Sequence, residues 1–474
     1  MSQINTRELV LDMLSSVVKD GRQSHIVLSE TLEVYAYLDK RDRAFISRLF
    51  RGVLEYRIYL DEVTDQFSTV KCEKMKPLVR LIIEMGAYQI LFMDHVPDSA
   101  ACNESVELAK KRGFKNLSGF VNGVLRGISR GKDEISEPDR EKEPLRYISF
   151  KYSLPQWLAK MWIDDYGMDA AEMMGKAALE RSRVCVRVRT AFLCIGAGES
   201  RGVGMSELVK ELEGCGVSMA GGEICEDALK IEGFDRLESI PAFAEGRITV
   251  QDESTMLAAL FADVRGTDKV IDLCAAPGGK TIHLADFMNA SYRQIIHRGK
   301  MCREGCVFAR DLTEAKTDRI KENVKRARLR NVKVQVQDAL QICEADIGTA
   351  DVVMADLPCS GLGVIGRKPD IKINASPEKI DELVQLQRDI LTVAASYVRP
   401  GGTLIYSTCT VSKKENEGNM RWFAENFPFR TASVDNYLSY KFRSESTGEG
   451  WIQILPGQYG TDGFFVAKFV KNRE

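Results

Sequence analysis

The chain has little histidine, almost no net charge and no long apolar run. Its 474 residues include four histidines, and 66 lysines and arginines nearly balance 68 aspartates and glutamates. Without a whole-molecule basic field, any nucleic acid must be bound through local basic surfaces. The longest apolar stretch, Leu81 to Phe92, contains Glu84 and Gln89 and is too short and too polar to span a bilayer. The first 20 residues lack a basic segment followed by an apolar core, so we expect no secretory signal, no membrane partner and a cytoplasmic location.

The 12 cysteines are scattered through a long chain. Disulfide frameworks belong to short secreted domains, so we interpret these cysteines as reduced thiols. With so few histidines, catalysis is expected to depend on other residue types.

Four regions follow from the hydrophobic patterning. Residues 1–130 show helical periodicity and few strand signals. Residues 131–180 combine a charged, proline-containing linker with connecting helices, and residues 181–245 resemble a small α/β subdomain. From residue 246 to 474, short apolar runs alternate with amphipathic helical stretches. This alternation predicts an α/β fold with a parallel, doubly wound sheet, in which ligands bind beyond the carboxyl ends of the strands.

A glycine-containing loop follows the first predicted strand of this sheet. It comprises Cys274, Ala275, Ala276, Pro277, Gly278, Gly279 and Lys280. A glycine pair after a strand lets backbone amides approach a ligand closely, and the next helix begins at the same point. The loop lacks the first glycine of a Walker sequence, which argues against a triphosphate cradle.

Acidic residues end the next two predicted strands. Asp311 could accept hydrogen bonds from ribose hydroxyls, and Asp338 could lie near an adenine edge. Taken singly, either residue could instead be a helix cap or a solvated loop residue. The spacing from Gly279 to Asp311 is longer than usual, and we expect a basic loop at 289–305. His297, Cys302 and Cys306 suggest a metal site there, but a fourth ligand is missing, so we predict no metal.

Two cysteines lie just past the ends of later strands, Cys359 in the segment beginning at Asp356 and Cys409 after Ser407 and Thr408. A free cysteine is commonly a small buried hydrophobe, but both lie among polar residues at the functional edge of the sheet. C5 of cytosine becomes nucleophilic when a thiolate adds to C6, and Asp356 could stabilise the ring at N3 and N4. One cysteine could attack while the other assists release.

Together these segments resemble the NOL1/NOP2/Sun family of S-adenosylmethionine-dependent RNA (cytosine-5) methyltransferases. The similarity covers Gly246 to Val470 and includes Gln251–Ser254, Asp272–Thr281, Asp356–Gly363 and Asp462–Phe465. Arg41 to Phe45 and Gly52 to Leu54 resemble a NusB-type RNA-binding domain, a combination typical of the bacterial Sun/Fmu type. The resemblance implies a Rossmann-like class I methyltransferase domain preceded by an all-α NusB-like domain and a small α/β subdomain.

The resemblance also implies residue roles. Cys274 to Lys280 would line the methionine end of the cofactor, Asp311 its ribose and Asp338 its adenine. Asp356 would contact the target base and the cofactor, Cys409 would be the nucleophile, and Cys359 would assist release. The expected reaction is methylation of C5 of a cytosine in ribosomal RNA, with 16S RNA favoured, by a monomer acting on free RNA or a partly assembled small subunit. Ile373, where an aromatic residue is expected, departs from the family pattern.

Other functions remain open from the sequence. The same chemistry could act on tRNA or 23S RNA, and a non-catalytic RNA-binding assembly factor could retain this fold. Phosphates could be bound by either of two basic clusters, although such runs are commonly solvated helix faces. The clusters are Lys110, Lys111, Arg112 and Lys115, and Lys325, Arg326, Arg328, Arg330 and Lys333.

Overall fold

The computed structural model describes residues 5–180, 183–189, 201–297 and 302–473. The chain divides into two compact units. The first consists of Met1–Arg181 and Val364–Ala375, and the second of Ser182–Gly363 and Ser376–Glu474. Within the described ranges, no helix combines the length and the apolar character that crossing a membrane requires.

The first unit is helical, as the periodicity of residues 1–130 predicts. Its long N-terminal segment contains α1 (Thr6–Val18), α2 (Ser24–Val34), α3 (Lys40–Phe67), α4 (Pro77–Phe92), α5 (Asp98–Lys111), α6 (Ser118–Gly131), α7 (Pro144–Lys151), α8 (Gln156–Tyr166) and α9 (Met168–Leu179). The side chains of Asn5 and Asp39 cap α1 and α3 by accepting hydrogen bonds from first-turn amides. Helix α4 is buried on almost every side, which explains its nearly uniform apolar sequence. Gly52 of α3 lies against the Tyr88 ring, where a Cβ atom would come within 1.9 Å, so this close approach of α3 to α4 requires glycine.

The second unit begins with a small antiparallel sheet. Its strands are β1 (Val184–Val188), β2 (Ser218–Gly221), β3 (Ala228–Glu232) and β4 (Ile248–Val250), in the order β2–β3–β1–β4. Helices α10 (Arg201–Gly214) and α11 (Pro241–Ala244) accompany it. Apolar residues of the strands and α10, among them Val186, Leu212 and Ile231, form a core of their own.

The large sheet of the second unit is mixed. Its strands are β5 (Lys269–Asp272), β6 (Cys306–Asp311), β7 (Val332–Val336), β8 (Ala350–Asp356), β9 (Val398–Thr408), β10 (Phe429–Thr431), β11 (Trp451–Ile454) and β12 (Phe464–Lys471). Strands β7–β6–β5–β8–β9 are parallel, which confirms the predicted doubly wound core. Strand β12 then pairs antiparallel with β9, β10 and β11, an extension that the sequence patterning did not predict.

Helices flank this sheet: α12 (Glu253–Ala262), α13 (Gly279–His297), α14 (Glu314–Arg326), α16 (Pro377–Tyr397), α17 (Asn419–Asn426) and α18 (Glu445–Glu449). Helix α13 extends through much of the predicted loop 289–305, so the prediction of a loop was wrong for residues 289–297. Arg298 and Lys300 lie outside the described residues, as does the side chain of His297. In the described part of the chain, no group of three histidine, cysteine or acidic side chains could hold a metal ion.

The segment Val364–Ala375, which contains α15 (Ile371–Asn374), packs within the helical unit. Ser24 Oγ donates a hydrogen bond to Asp370, and the buried Lys372 Nζ donates to the backbone carbonyl of Glu55. Ile373, the departure from the family pattern, packs against the apolar core of this unit. The chain therefore leaves the second unit after Gly363 and returns to it at Ser376, just before α16.

Candidate active site

A cavity of about 150 Å³ lies at the carboxyl end of β5. Most of the predicted glycine loop lines it, together with residues from the β4–α12 connection. The lining residues are Val250, Gln251, Thr255, Asp272, Cys274, Ala275, Ala276, Pro277, Gly279, Lys280 and Asp356. The tertiary structure thus brings Asp356 to the loop on which Lys280 lies, 76 residues earlier in the chain.

Backbone hydrogen bonds fix the shape of the glycine loop. The buried Asp311 accepts from the Ala276 amide through Oδ2 at 3.0 Å and from the Leu312 amide through Oδ1 at 2.8 Å. Gly278 has φ of 107°, a conformation that strains residues with a side chain, and α13 begins at the next residue. Asp311 therefore holds the glycine loop through the Ala276 amide and does not line the cavity itself.

Asp272 is a buried carboxyl at the end of β5 with one unsatisfied oxygen. Its Oδ2 accepts from Thr281 Oγ1 at 2.6 Å, whereas the described residues provide no hydrogen-bond partner for its Oδ1. Burial raises the pKa of Asp272 to about 7, against the lowering effect of the Thr281 hydrogen bond. An orphaned acidic oxygen that lines a cavity favours a ligand with a positively charged donor.

Lys280 and Asp356 form an ion pair beside this carboxyl. Lys280 Nζ donates to Asp356 Oδ2 at 2.8 Å, and Ser407 Oγ donates to Asp356 Oδ1 at 2.7 Å. Burial lowers the pKa of Lys280, but the surrounding negative charges, that of Asp356 first, together outweigh burial and the pKa is raised. The ammonium also lies 5.1 Å from the centre of the Phe464 ring. Asp356 is therefore held rigidly and presents an oriented charge.

The two predicted catalytic cysteines meet although 50 residues separate them. Their sulfur atoms lie 3.3 Å apart. The pKa of Cys359 is raised well above its ordinary value, first by its hydrogen bond to Cys409, then by burial and the negative charges of Cys409 and Glu415. The raised pKa favours the neutral thiol of Cys359, and either sulfur atom can be the donor in this hydrogen bond. An ionised Cys409 also contributes to the raised pKa of Lys280.

Asp338 and Cys274 differ from the other predicted site residues. The Gln337 amide donates to the Asp311 carbonyl at 2.9 Å, so the segment carrying Asp338 adjoins Asp311 at the neighbouring strand end. Asp338 Oδ1 accepts from the Leu340 amide and closes a local turn, and the residue does not line the cavity. Burial and nearby carboxylates raise the pKa of Cys274, which makes it a neutral wall of the cavity.

Sequence reasoning assigned no role to Gln251, Asp272 or Glu415. Gln251 lines the cavity, accepts from Arg187 Nε at 3.0 Å and lies 3.4 Å from His283 Nδ1. Burial and the Arg187 charge hold the pKa of His283 well below its ordinary value, so the neutral ring can accept from the Gln251 amide. Gln251 and Asp272 lie in segments that carried the family resemblance, but no local pattern marks them as buried or unpaired.

Known proteins resemble the chain along its whole length. A family model described as 16S rRNA methyltransferase RsmB/F matches residues 259–470, and one described as NusB family matches residues 4–130. The chain is 33% identical to the probable ribosomal RNA small subunit methyltransferase B of Bacillus subtilis, with 99% of this chain and 100% of that protein covered. It is 30% identical to ribosomal RNA small subunit methyltransferase B of Salmonella heidelberg, with 99% of each covered. The crystal structure of PH0851 matches with 27% identity and a TM-score of 0.77, again over 99% of each chain.

Proposed function

Because the chain belongs to the RsmB/F family of 16S rRNA methyltransferases, we propose that it methylates C5 of a cytosine in 16S ribosomal RNA through a covalent bond between Cys409 and C6 of the base. The observation that carries this proposal is the pair of thiols 3.3 Å apart beside the Lys280–Asp356 ion pair. A methyl transfer to an amine or hydroxyl would have no use for two thiols at this place.

The cavity fits S-adenosylmethionine. The orphaned Oδ1 of Asp272 would pair with the ammonium of its methionine end, and the glycine loop would surround that end. Oδ2 of Asp311 has a lone pair left for a ribose hydroxyl after accepting from the loop. Leu312 and Val336, 56% and 51% exposed at neighbouring strand ends, offer apolar surface for an adenine ring. The bound cofactor supplies an electrophilic methyl group carried on a sulfonium.

We assign the attack on the base to Cys409, because the raised pKa of Cys359 favours its neutral thiol. The Cys409 thiolate forms a bond to C6 of cytosine, and the electrons of the C5–C6 double bond move toward N3 and make C5 nucleophilic. Asp356, held by Lys280 and Ser407, would accept from the exocyclic amine of the base. Lys280 supplies the compensating positive charge for the ring.

Cys359 acts in the second half of the reaction. Once C5 carries the methyl group, its proton must pass to a base and the S–C6 electron pair must return to Cys409. Bonded to the base, Cys409 bears no charge and its thioether sulfur is only a weak hydrogen-bond acceptor, so the largest cause of the raised Cys359 pKa weakens. The more acidic Cys359 then loses its proton to solvent, and its thiolate takes the C5 proton.

RNA contacts are supported best by one of the two basic clusters. In the described residues Lys110, Lys111 and Arg112 pair with acidic neighbours such as Glu107 and Glu8. In the other cluster, Lys325, Arg328 and Arg330 are exposed, and the described residues provide none of these three with an ion pair. We therefore place phosphate contacts on this second cluster.

The two cysteine variants test the chemistry. Cys409→Ala should abolish methyl transfer and form no adduct, whereas Cys359→Ala should methylate and then remain attached to RNA through Cys409. A ribonuclease-sensitive slow band on a denaturing gel measures the adduct, and Cys215→Ala, at an exposed thiol, is the matched control. An adduct in Cys409→Ala alone would contradict the assigned roles.

Bisulfite sequencing tests the substrate. RNA from cells with and without the gene should differ at a cytosine of 16S RNA. A difference confined to tRNA or 23S RNA would refute the substrate and leave the chemistry intact.

A further inference from the structure

A buried carboxylate, that of Glu415, lies next to the two loops that carry Cys359 and Cys409 (the cysteine loops). Glu415 belongs to a π-helical turn, Lys414–Gly418, and its side chain is excluded from solvent. Its Oε1 accepts from the Ser360 amide at 2.9 Å and from Gln387 Nε2 at 3.0 Å, and its Oε2 accepts from Ser360 Oγ at 2.6 Å. Neither methyl transfer nor cofactor binding, as described above, uses this residue.

The hydrogen bonds of Glu415 reach both loops. Ser360 follows Cys359 directly, and Thr410 follows Cys409 directly. Ser360 Oγ lies 2.7 Å from Thr410 Oγ1. Because Ser360 donates its hydroxyl proton to the carboxylate, its oxygen must accept from Thr410. A single donor chain thus runs from the Cys409 loop through Ser360 to Glu415.

Further contacts fix the same loops from the sides. Gln387 Nε2 also donates to the carbonyl of Pro358, and the Gly363 amide donates to the Cys409 carbonyl at 3.1 Å. The Glu415 carbonyl accepts from the buried Tyr406 hydroxyl, which anchors the turn to β9. The residues beside both sulfur atoms are therefore held by a buried network with Glu415 at its centre.

We propose that Glu415 is a positioning residue that holds the two cysteine loops together and thereby sets the separation of the Cys359 and Cys409 sulfur atoms. Its carboxylate touches neither reacting atom and acts through Ser360 and Thr410. Its negative charge also acts on Cys359 and favours the neutral thiol, the state in which Cys359 can donate to Cys409. That this separation matters for release of the product rests on the proposed function; the separation itself does not.

Oxidative cross-linking measures the separation without any substrate. Diamide converts two neighbouring thiols into a disulfide and is itself reduced to the hydrazine, and peptide mapping quantifies the Cys359–Cys409 product in the full-length protein. Wild type should link fast, since only a short movement separates 3.3 Å from bonding distance. Glu415→Ala should link at least about tenfold more slowly, because misplacements near 1 Å already slow oriented reactions strongly.

Glu415→Gln separates the positioning of the cysteine loops from the negative charge of Glu415. In Glu415→Gln the amide oxygen can keep the bonds to the Ser360 amide and Gln387, while the hydroxyl chain reverses its direction. It should therefore link within about threefold of wild type, since orientation is retained. Glu417→Ala, two residues away and paired with Arg421, is the matched control. A wild-type rate in Glu415→Ala with an unchanged circular dichroism spectrum would overturn the proposal.

Ser360→Ala repeats the test if Glu415→Ala does not fold. It removes only the hydroxyl link and leaves the backbone bond to Glu415. Slower linking is expected here too, and a wild-type rate would contradict the proposal.

The same variants connect this inference to catalysis. If the release role of Cys359 is correct, Glu415→Ala should raise the ratio of RNA adduct to released product, and Glu415→Gln should restore it. Slow linking with an unchanged ratio would leave the positioning role intact and refute the release role. A uniform loss of both steps with a wild-type linking rate would mean that Glu415 only stabilises the fold.

Discussion

Replacing Asp272 with asparagine should remove a pH dependence of stability that the wild-type protein shows as pH rises from about 4 through 7. In the unfolded chain this carboxyl has its ordinary pKa of 3.8, whereas burial raises the pKa to about 7 in the folded protein. The folded state therefore binds a proton that the unfolded state has lost. The stability contributed by this proton is complete below the unfolded pKa and lost as pH rises through the folded pKa.

The size of the effect follows from these two values. Between pH 5 and pH 8, wild type should lose about 2–3 kcal/mol of unfolding free energy relative to Asp272→Asn, which stays neutral throughout. Glu84 and Lys372 in the helical unit also have pKa values of about 7, but they are present in both proteins and cancel in the comparison.

Urea unfolding followed by tryptophan fluorescence checks this value. Trp422 and Trp451 report on the catalytic unit when Trp157 and Trp162, in the helical unit, are replaced by phenylalanine in both proteins. Equal pH slopes for wild type and Asp272→Asn would refute the assignment of a neutral, buried Asp272.

Binding of S-adenosylhomocysteine should release the proton that Asp272 carries in the free protein. An ammonium paired with Oδ1 would lower the pKa of Asp272, so S-adenosylhomocysteine should release about 0.9 proton on binding at pH 6. Calorimetry in buffers of different ionisation enthalpy measures this number. Asp272→Asn should bind more weakly and release none, and proton release that persists in this variant would show that another group is responsible.

Three further predictions follow from buried or exposed charges. Asp311→Ala should weaken S-adenosylhomocysteine binding, measured by calorimetry, by about 1–3 kcal/mol because two backbone amides lose their acceptor. Burial lowers the pKa of Lys372 to about 7, so wild-type stability should rise with pH above 7. Between pH 7 and pH 9, urea unfolding should show wild type gaining about 2 kcal/mol relative to Lys372→Met, and equal slopes would contradict this. Changing Lys325, Arg328 and Arg330 together to glutamine should reduce the salt slope of RNA binding by about 2–3, measured by filter binding, and an unchanged slope would place the phosphates elsewhere.

The order of elements in the fold was predictable because it depends on local patterning. Alternating strand and helix signals after residue 246 identified the parallel strands, and the helical periodicity of residues 1–130 identified the first unit. Strands β10, β11 and β12 were missed because antiparallel pairing along β12 joins segments whose separate patterns are weak. The predicted loop 289–305 was wrong over 289–297, where a polar sequence continues α13 by ordinary helical hydrogen bonding.

The packing of Val364–Ala375 could not be predicted from its own sequence. From its sequence context Lys372 would be expected at the surface. In the structure its side chain is buried and donates to the Glu55 carbonyl in the helical unit. Whether a charged side chain is exposed depends on which distant segment covers it, and helical periodicity within one segment contains no information about that choice.

The residue types of the candidate site and their places at strand ends were determined by the sequence alone. Parallel strands deliver their carboxyl ends to one edge, so Asp311, Asp356, Cys359 and Cys409 were expected there. Only the tertiary structure decided that two thiols lie 3.3 Å apart, that the pKa of Cys359 is raised and that Asp272 Oδ1 finds no hydrogen-bond partner among the described residues. Distance and desolvation control ionisation, and both arise only when chain segments far apart in sequence exclude water from the same place.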